Sequence, residues 1–232
     1  MAKLVWDDTG ERLYETGVEH GVLYVMNNDG TYGNGVAWNG LTAITEKPSG
    51  AEATKLWADD INYLTMYSAE EFGITVEAYT YPEEFYPCDG TADLIAETGG
   101  LYMGQQGRKG FGLCYKTVVG NDVNGNDYGY KIHLVYGCKA SPSEKSYSTI
   151  NDSPEAITFS WEVTTTPVNV TINNVDYKPT AILTIDSTKF ASGKAKDNFE
   201  DLLDILYGTD GTPGTDARLP LPAEVYSTLT AQ

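Results

Sequence analysis

Positive charge is scarce in this chain of 232 residues: 15 Lys and Arg stand against 33 Asp and Glu, a formal net charge of −18. Nucleic-acid affinity comes largely from Lys and Arg displacing condensed counterions, so the balance argues against a phosphate-gripping function and favours repulsion of DNA over its retention. Histidine is rarer still, with His20 and His133 alone. The three cysteines, Cys88, Cys114 and Cys138, are odd in number and widely spaced. They fit neither a disulfide framework nor a CxxC pair and read as free thiols in a reducing compartment. No apolar run approaches the roughly 20 residues that cross a bilayer, so no membrane insertion is expected. Met1–Asp8 has Lys3 as its one basic residue and does not read as a secretory signal.

Catalytic signatures are missing as well. There is no GxSxG, HExxH, Walker A or GxGxxG-plus-acid pattern. The alternation of its strand places His133 off the core and facing solvent, where it reads as a surface residue and not as a base. Asp59-Asp60 and Glu83-Glu84 are adjacent carboxylates, which in a strand point to opposite faces and make no acid–base dyad. Gly104–Gly110 (GQQGRKG) lacks the GK[ST] ending of a phosphate loop and reads as a mobile loop presenting Arg108 and Lys109. The polar run Asn121–Asp127 lacks the spaced ligands of an EF-hand and reads as turn chemistry. The chain is therefore read as a non-enzyme, with no catalytic residue, cofactor or metal.

What the sequence has in quantity is tyrosine, 17 residues, and glycine, 24, the latter gathered with Asn and Asp at turn-like places. Both suit half-buried sheets joined by tight turns. Apolar residues fall on alternate positions in Phe72–Ala78, Phe111–Val119, Tyr130–Cys138 and Ile157–Val163, the signature of strands with one face in a core. This places Trp161 in the core. Gly120–Asp127 joins the second and third of these as a hairpin. Weaker strand signals cover Val36–Thr45, Ile61–Tyr67, Val168–Val175 and Ala181–Ile185.

One helix is expected over about residues 196–207, where Phe199, Leu202, Leu203 and Leu206 form one apolar stripe. Asp197 with Glu200 resembles a capping box, and Gly208 supplies the stop. A short helix over Thr91–Glu97 has weaker support. Tyr81–Gly110 and Lys139–Glu155 read as long loops, a length that is usually functional or ordered by a partner. The expected organisation is a mainly β domain over residues 1–208, a β-sandwich with one flanking helix, followed over 209–232 by a Gly/Pro-rich linker and an extended tail.

Five segments then carry a resemblance: Gly40–Gly50 (GLTAITEKPSG), Leu64–Phe85, Gly104–Thr117 (GQQGRKGFGLCYKT), Gly129–Asp152 and Ser153–Val170. In this order they resemble the major tail, or tail tube, proteins of long non-contractile-tailed bacteriophages of Gram-positive hosts, over most of the span from Gly40 to Val170. The resemblance implies a structural virion protein with a tail-tube-like β-sandwich, made and assembled in the bacterial host cytoplasm. Its subunits would form hexameric rings that stack into a hollow tube, with sheets from neighbours joined into a barrel around the lumen and long loops bridging rings. The implied partners are other copies of the chain, a tape measure protein in the lumen, and tail terminator and distal tail or baseplate proteins. DNA would pass without specific binding. The two long loops are the candidate contacts between subunits or rings, with Arg108, Lys109, Glu83, Glu84, Glu144 and Lys145 as candidate interface residues.

Two other classes compete. A carbohydrate- or receptor-binding β-sandwich would use Trp38, Trp57 and Trp161 with the tyrosines as a stacking platform, although Trp161 sits on the expected core face. A hydrolase with paired carboxylates is weaker, because no acid pair can be placed at a fixed separation.

Overall fold

The computed structural model describes residues 4–95, 99–150, 152 and 155–231. Its strands in chain order are β1 (Tyr14–Met26), β2 (Tyr32–Trp38), β3 (Leu41–Gly50), β4 (Ala53–Ala58), β5 (Ile61–Tyr67), β6 (Glu70–Ala78), β7 (Ala92–Asp93), β8 (Tyr102–Met103), β9 (Phe111–Asn121), β10 (Gly125–Ala140), β11 (Phe159–Thr165), β12 (Val168–Ile172), β13 (Val175–Thr180) and β14 (Ile182–Asp186). The helices are α1 (Tyr86–Asp89), α2 (Gly193–Tyr207) and α3 (Pro222–Leu229). The fold is mainly β, as the alternation and the turn residues require. None of the described helices is long and apolar enough to cross a membrane.

One antiparallel sheet runs in the order β2-β1-β9-β10-β11-β6-β3, with β14 also pairing β10. Strand β10 belongs to two layers. Its Lys131–Val135 stretch pairs β14, whereas Cys138–Ala140 pairs β11. The switch is made at Gly137, whose φ of +60° suits glycine and where a Cβ would run into the carbonyl oxygen of Thr166. The register against β9 slips between Val135 and Cys138, so these two residues, three apart, enter the same core cluster.

That first core lies between the β1/β9/β10 layer and the β3/β6/β11 layer, around Trp38, Phe85, Phe111 and Trp161. A second core covers the opposite face of the central layer, where Phe199, Leu202 and Leu206 of α2 meet Tyr24, Ile132, Leu134 and Tyr136. Central strands sandwiched in this way are apolar on both faces. Hence His133, expected to face solvent, is 7% exposed. It stacks on Tyr115 with ring centroids 4.6 Å apart and planes 5° from parallel.

Helix α2 starts three residues earlier than the stripe suggests. Ser192, extended at φ −158° and ψ 161°, takes the N-cap position, and Asp197 lies inside the helix. Gly208 ends it at φ +77°. The tail expected to be extended instead forms α3, which packs on α2: Leu219 and Val225 are buried in the second core, and Asn198 Nδ2 donates to the carbonyls of Leu229 and Ala231. Pro222 near its N-terminus lacks only an N–H that a first helical turn leaves unbonded anyway. A helix expected over Thr91–Glu97 is absent from its described part, where Ala92–Asp93 pair with Tyr102–Met103; Glu97 lies outside the described residues. The Val36–Thr45 signal spans two strands, β2 and β3, joined through Asn39-Gly40.

Candidate assembly surface

Strands β3–β4 and β5–β6 form one long antiparallel ribbon. The β3–β6 ladder ends at Gly50 opposite Glu70, Ser68 N–H donates to Glu52 O at 3.1 Å, and the β4–β5 ladder resumes at Ala53 opposite Tyr67. Gly50 and Ala51 at the junction both have positive φ, +82° and +53°. A Cβ at Gly50 would collide with the carbonyl of Ala69, so the sequence places glycine there. The tip is Asp59-Asp60, at φ +50° and +60°, the pair of left-handed residues that matches the twist of a two-residue hairpin.

From Thr45 to Glu71 every residue except Thr65 is exposed, and no residue of β4 or β5 belongs to either core cluster. Pro48 still pairs with Phe72, which packs on the first core; from Ser49 to the tip, at roughly 3.3 Å per residue, the ribbon reaches about 35 Å beyond the packed body. It is nonetheless rich in apolar side chains. Leu56, Trp57, Ile61, Tyr63, Leu64, Met66 and Tyr67 are between 43% and 71% exposed.

Register sorts these side chains by face. Leu56 opposite Leu64, Thr54 opposite Met66 and Ala58 opposite Ile61 make one face aliphatic. The other carries Tyr67 opposite Ala53, Thr65 opposite Lys55 and Asn62 opposite Trp57, with Tyr63 in the bulge. An isolated two-stranded ribbon is marginal in water, and an exposed apolar patch of this extent marks an interaction surface. Sequence reasoning recovers Ile61–Tyr67 as a strand and misses its partner Ala53–Ala58. The available signal is two apolar stretches of similar length on either side of Asp59-Asp60; their lack of polar alternation is itself the mark of a ribbon apolar on both sides.

Open strand edges accompany the arm: among the described residues, strands β2, β3 and β14 end the sheet's pairing order. The β2 edge is partly covered, since Gly35 N–H donates to Ala217 O at 2.7 Å. Pro48 sits on the β3 edge, where the missing N–H breaks no ladder bond.

The six candidate interface residues separate into two groups. Glu83 and Glu84 on a 3-10 turn before α1 are exposed and line a cleft of about 400 Å³ together with Lys109. Leu94, Leu101, Tyr102 and Met103 add exposed apolar surface in the same loop. Glu144 is exposed on the segment after β10. Arg108 and Lys145 are engaged within the subunit. Arg108 Nη1 donates to Ala140 O at 3.0 Å, and Gln106 and Lys109 N–H groups bond to Gly90 and Pro87 carbonyls, so the GQQGRKG loop is tied to its own body. Lys145 Nζ lies 2.8 Å from Oδ2 of Asp89, whose side chain is 7% exposed and whose Oδ1 accepts from Trp161 Nε1 at 3.2 Å. Burial works against the Lys145 charge, but the hydrogen bond and attraction from Asp89 outweigh it and raise its pKa. Lys145→Met would leave Asp89 without its cation. The expected cost is about 3 kcal/mol, the low end for breaking a buried pair, read by denaturant unfolding; an unchanged midpoint would remove this pair from the fold's supports.

His133 sits where β3 crosses the central strands. Thr117 Oγ1 lies 2.9 Å from its Nε2, Thr184 Oγ1 lies 3.3 Å from its Nδ1, and Tyr115 donates to Glu46 Oε1 at 2.7 Å. Burial lowers the His133 pKa, against the attraction of Glu46 and Glu15. The unfolded chain thus takes up this proton more readily than the folded one. The associated stability is fully present above the ordinary value of 6.5 and is lost as pH falls below it. Thermal midpoints should therefore drop between pH 7 and pH 5, and drop less in His133→Gln; an identical drop in both would assign the effect elsewhere.

All three cysteines are buried and free. Burial pushes the Cys88 and Cys114 thiols up to about 12, which keeps them protonated and unreactive at neutral pH. The aromatic platform expected for glycan binding is not assembled. Trp38 and Trp161 are 3% and 0% exposed and pack edge-to-face at 5.8 Å in the first core, and of the three only Trp57 reaches the surface.

No protein-family model matches the chain, and no curated protein sequence matches it. Among solved structures, a chain of the sixfold-symmetrised cryo-EM structure of the anti-feeding prophage baseplate aligns with 78% of this chain and 97% of its own length. The identity is 7% and the TM-score 0.35.

Proposed function

We propose that the chain is a self-assembling structural subunit of a phage tail, specifically the tail tube subunit, whose copies close into rings of six that stack into a hollow tube. The observation that carries this reading is the arm: a ribbon outside both cores, with seven large apolar side chains in water. Such a surface is costly to a free monomer and useful to one that meets its neighbours. The open edges of β3 and β14 support the same reading, because an unpaired edge offers a neighbour's strand a row of N–H and C=O groups. So does the charge of −18, which keeps a DNA phosphate backbone from adhering to a conduit built of many copies. The resemblance of Gly40–Val170 to tail tube proteins selects this assembly among those a sticky β domain could build.

On this reading the protein works without catalysis, cofactor or metal. It resides in the virion's tail after assembly in the host cytoplasm. Its partners are its own copies, a tape measure protein in the lumen, and terminator and distal tail or baseplate proteins at the ends. Sedimentation velocity of the purified full chain over rising concentration tests the self-assembly: large species must appear at the expense of monomer, and a single monomer boundary at every concentration would refute the reading.

A further inference from the structure

We propose that the aliphatic face of the arm docks, in a second copy, into the groove between α3 and the β12–β13 hairpin. This rests on the self-assembly reading and adds the receiving surface that the arm engages. The groove has a volume of about 360 Å³ and is walled by Val170, Ile172, Leu183, Val225 and Leu229. Tyr177 and Tyr226 are exposed at 56% and 38%, so the groove opens to water through an aromatic rim. The arm offers the matching chemistry: Leu56, Leu64, Met66 and Ile61 share one face of the ribbon, and none of them belongs to either core cluster.

Charge selects the same occupant. Lys178 is the one charged residue among those lining the groove, and it makes no ion pair among the described residues. Asp59 and Asp60 at the arm's tip adjoin the aliphatic face through Ile61 and are likewise unpaired there. Seating the aliphatic face in the groove brings an acidic tip to the groove's one cation, which favours this register over a reversed one. The subunit's own arm is not the occupant. It springs from the β3/β6/β11 layer on one side of the central strands, whereas α3 packs with α2 on the other.

The test uses the burial of all three native cysteines, which leaves introduced thiols as the reactive ones. Full-length Asp60→Cys and Lys178→Cys variants are mixed, allowed to assemble, and oxidised gently. The expected result is a disulfide-linked dimer in the sedimented polymer from the mixture, absent from either variant alone. Asp60→Cys mixed with Lys194→Cys, an exposed position on α2, serves as the control. Polymer that sediments without the Asp60–Lys178 cross-link, or with an equal yield from the control, overturns the groove assignment and leaves self-assembly standing. Wild-type chain that never sediments overturns both. Independently, Lys178→Glu should raise the concentration needed for assembly several-fold and Asp60→Lys should restore it in the double variant; a Lys178→Glu chain assembling like wild type contradicts the docking.

Discussion

A chain in which residues 51–69 are replaced by Asn-Gly is expected to fold as before and to lose assembly altogether. The replacement joins Gly50 to Glu70, the last paired residues of the β3–β6 ladder, with the two-residue turn that suits such a hairpin. Nothing in either core is removed, because neither cluster contains a residue of β4 or β5. The thermal midpoint should therefore stay within a few degrees of wild type, since changes outside buried features cost little. Assembly should be abolished, because seven exposed apolar side chains leave with the arm. Circular dichroism and sedimentation of the same sample read both halves. Polymers of unchanged yield would show that the arm is not the contact, and a collapsed fold would show that it supports the subunit.

Trp161→Ala is expected to be the most destabilising single truncation of a side chain, by about 3–5 kcal/mol. The indole is fully buried. The rings of Tyr81, Phe85, Trp38 and Phe159 surround it, with centroids 5.1 to 5.9 Å away. Truncation opens a cavity that this rigid aromatic cluster fills poorly, and it removes the N–H that Asp89 accepts. The cluster joins β11, β2 and the start of the Tyr81–Gly110 loop, so the damage reaches the loop that holds Glu83, Glu84 and Lys109. Trp161→Phe separates the two causes: it keeps most of the volume and loses the hydrogen bond, for an expected cost of about 1–2 kcal/mol. Denaturant unfolding of the pair checks both values. A wild-type midpoint for Trp161→Ala would mean that the core is organised around other residues.

How much of this was legible in the sequence depends on how locally each element is determined. Strands β6, β9, β10 and β11 announce themselves by alternation, and the β9–β10 hairpin by its polar tip. There Asn121 Oδ1 accepts from the N–H groups of Val123 and Asn124, the turn chemistry that the residues suggest. The α2 stripe also reads correctly, since Phe199, Leu202 and Leu206 are buried. Failures occur where a second layer decides. His133 looks like the outward residue of a one-sided strand, but α2 covers one face of β10 and the β3/β6/β11 layer the other. Arg108 and Lys145 look like outward charges until the Ala140 carbonyl and the Asp89 carboxylate are brought to them by the fold. The tail after Gly208 has linker composition over Thr209–Ala217, and that composition concealed the eight-residue α3 beyond it. The arm was the hardest element to read. Its strands pair with each other and reach neither core, so no alternation toward an internal core marks them. Its exposed apolar faces are evident only once the cores are known to be complete without it.

The most direct test of the account is electron microscopy of the concentrated full chain, with averaging of particles viewed end-on. Six copies closed around an open channel, each touching the next through its sheet edge and reaching onward with its β4–β5 arm, is the predicted image. Isolated subunits at every concentration, with the arm folded against its own body, would contradict it.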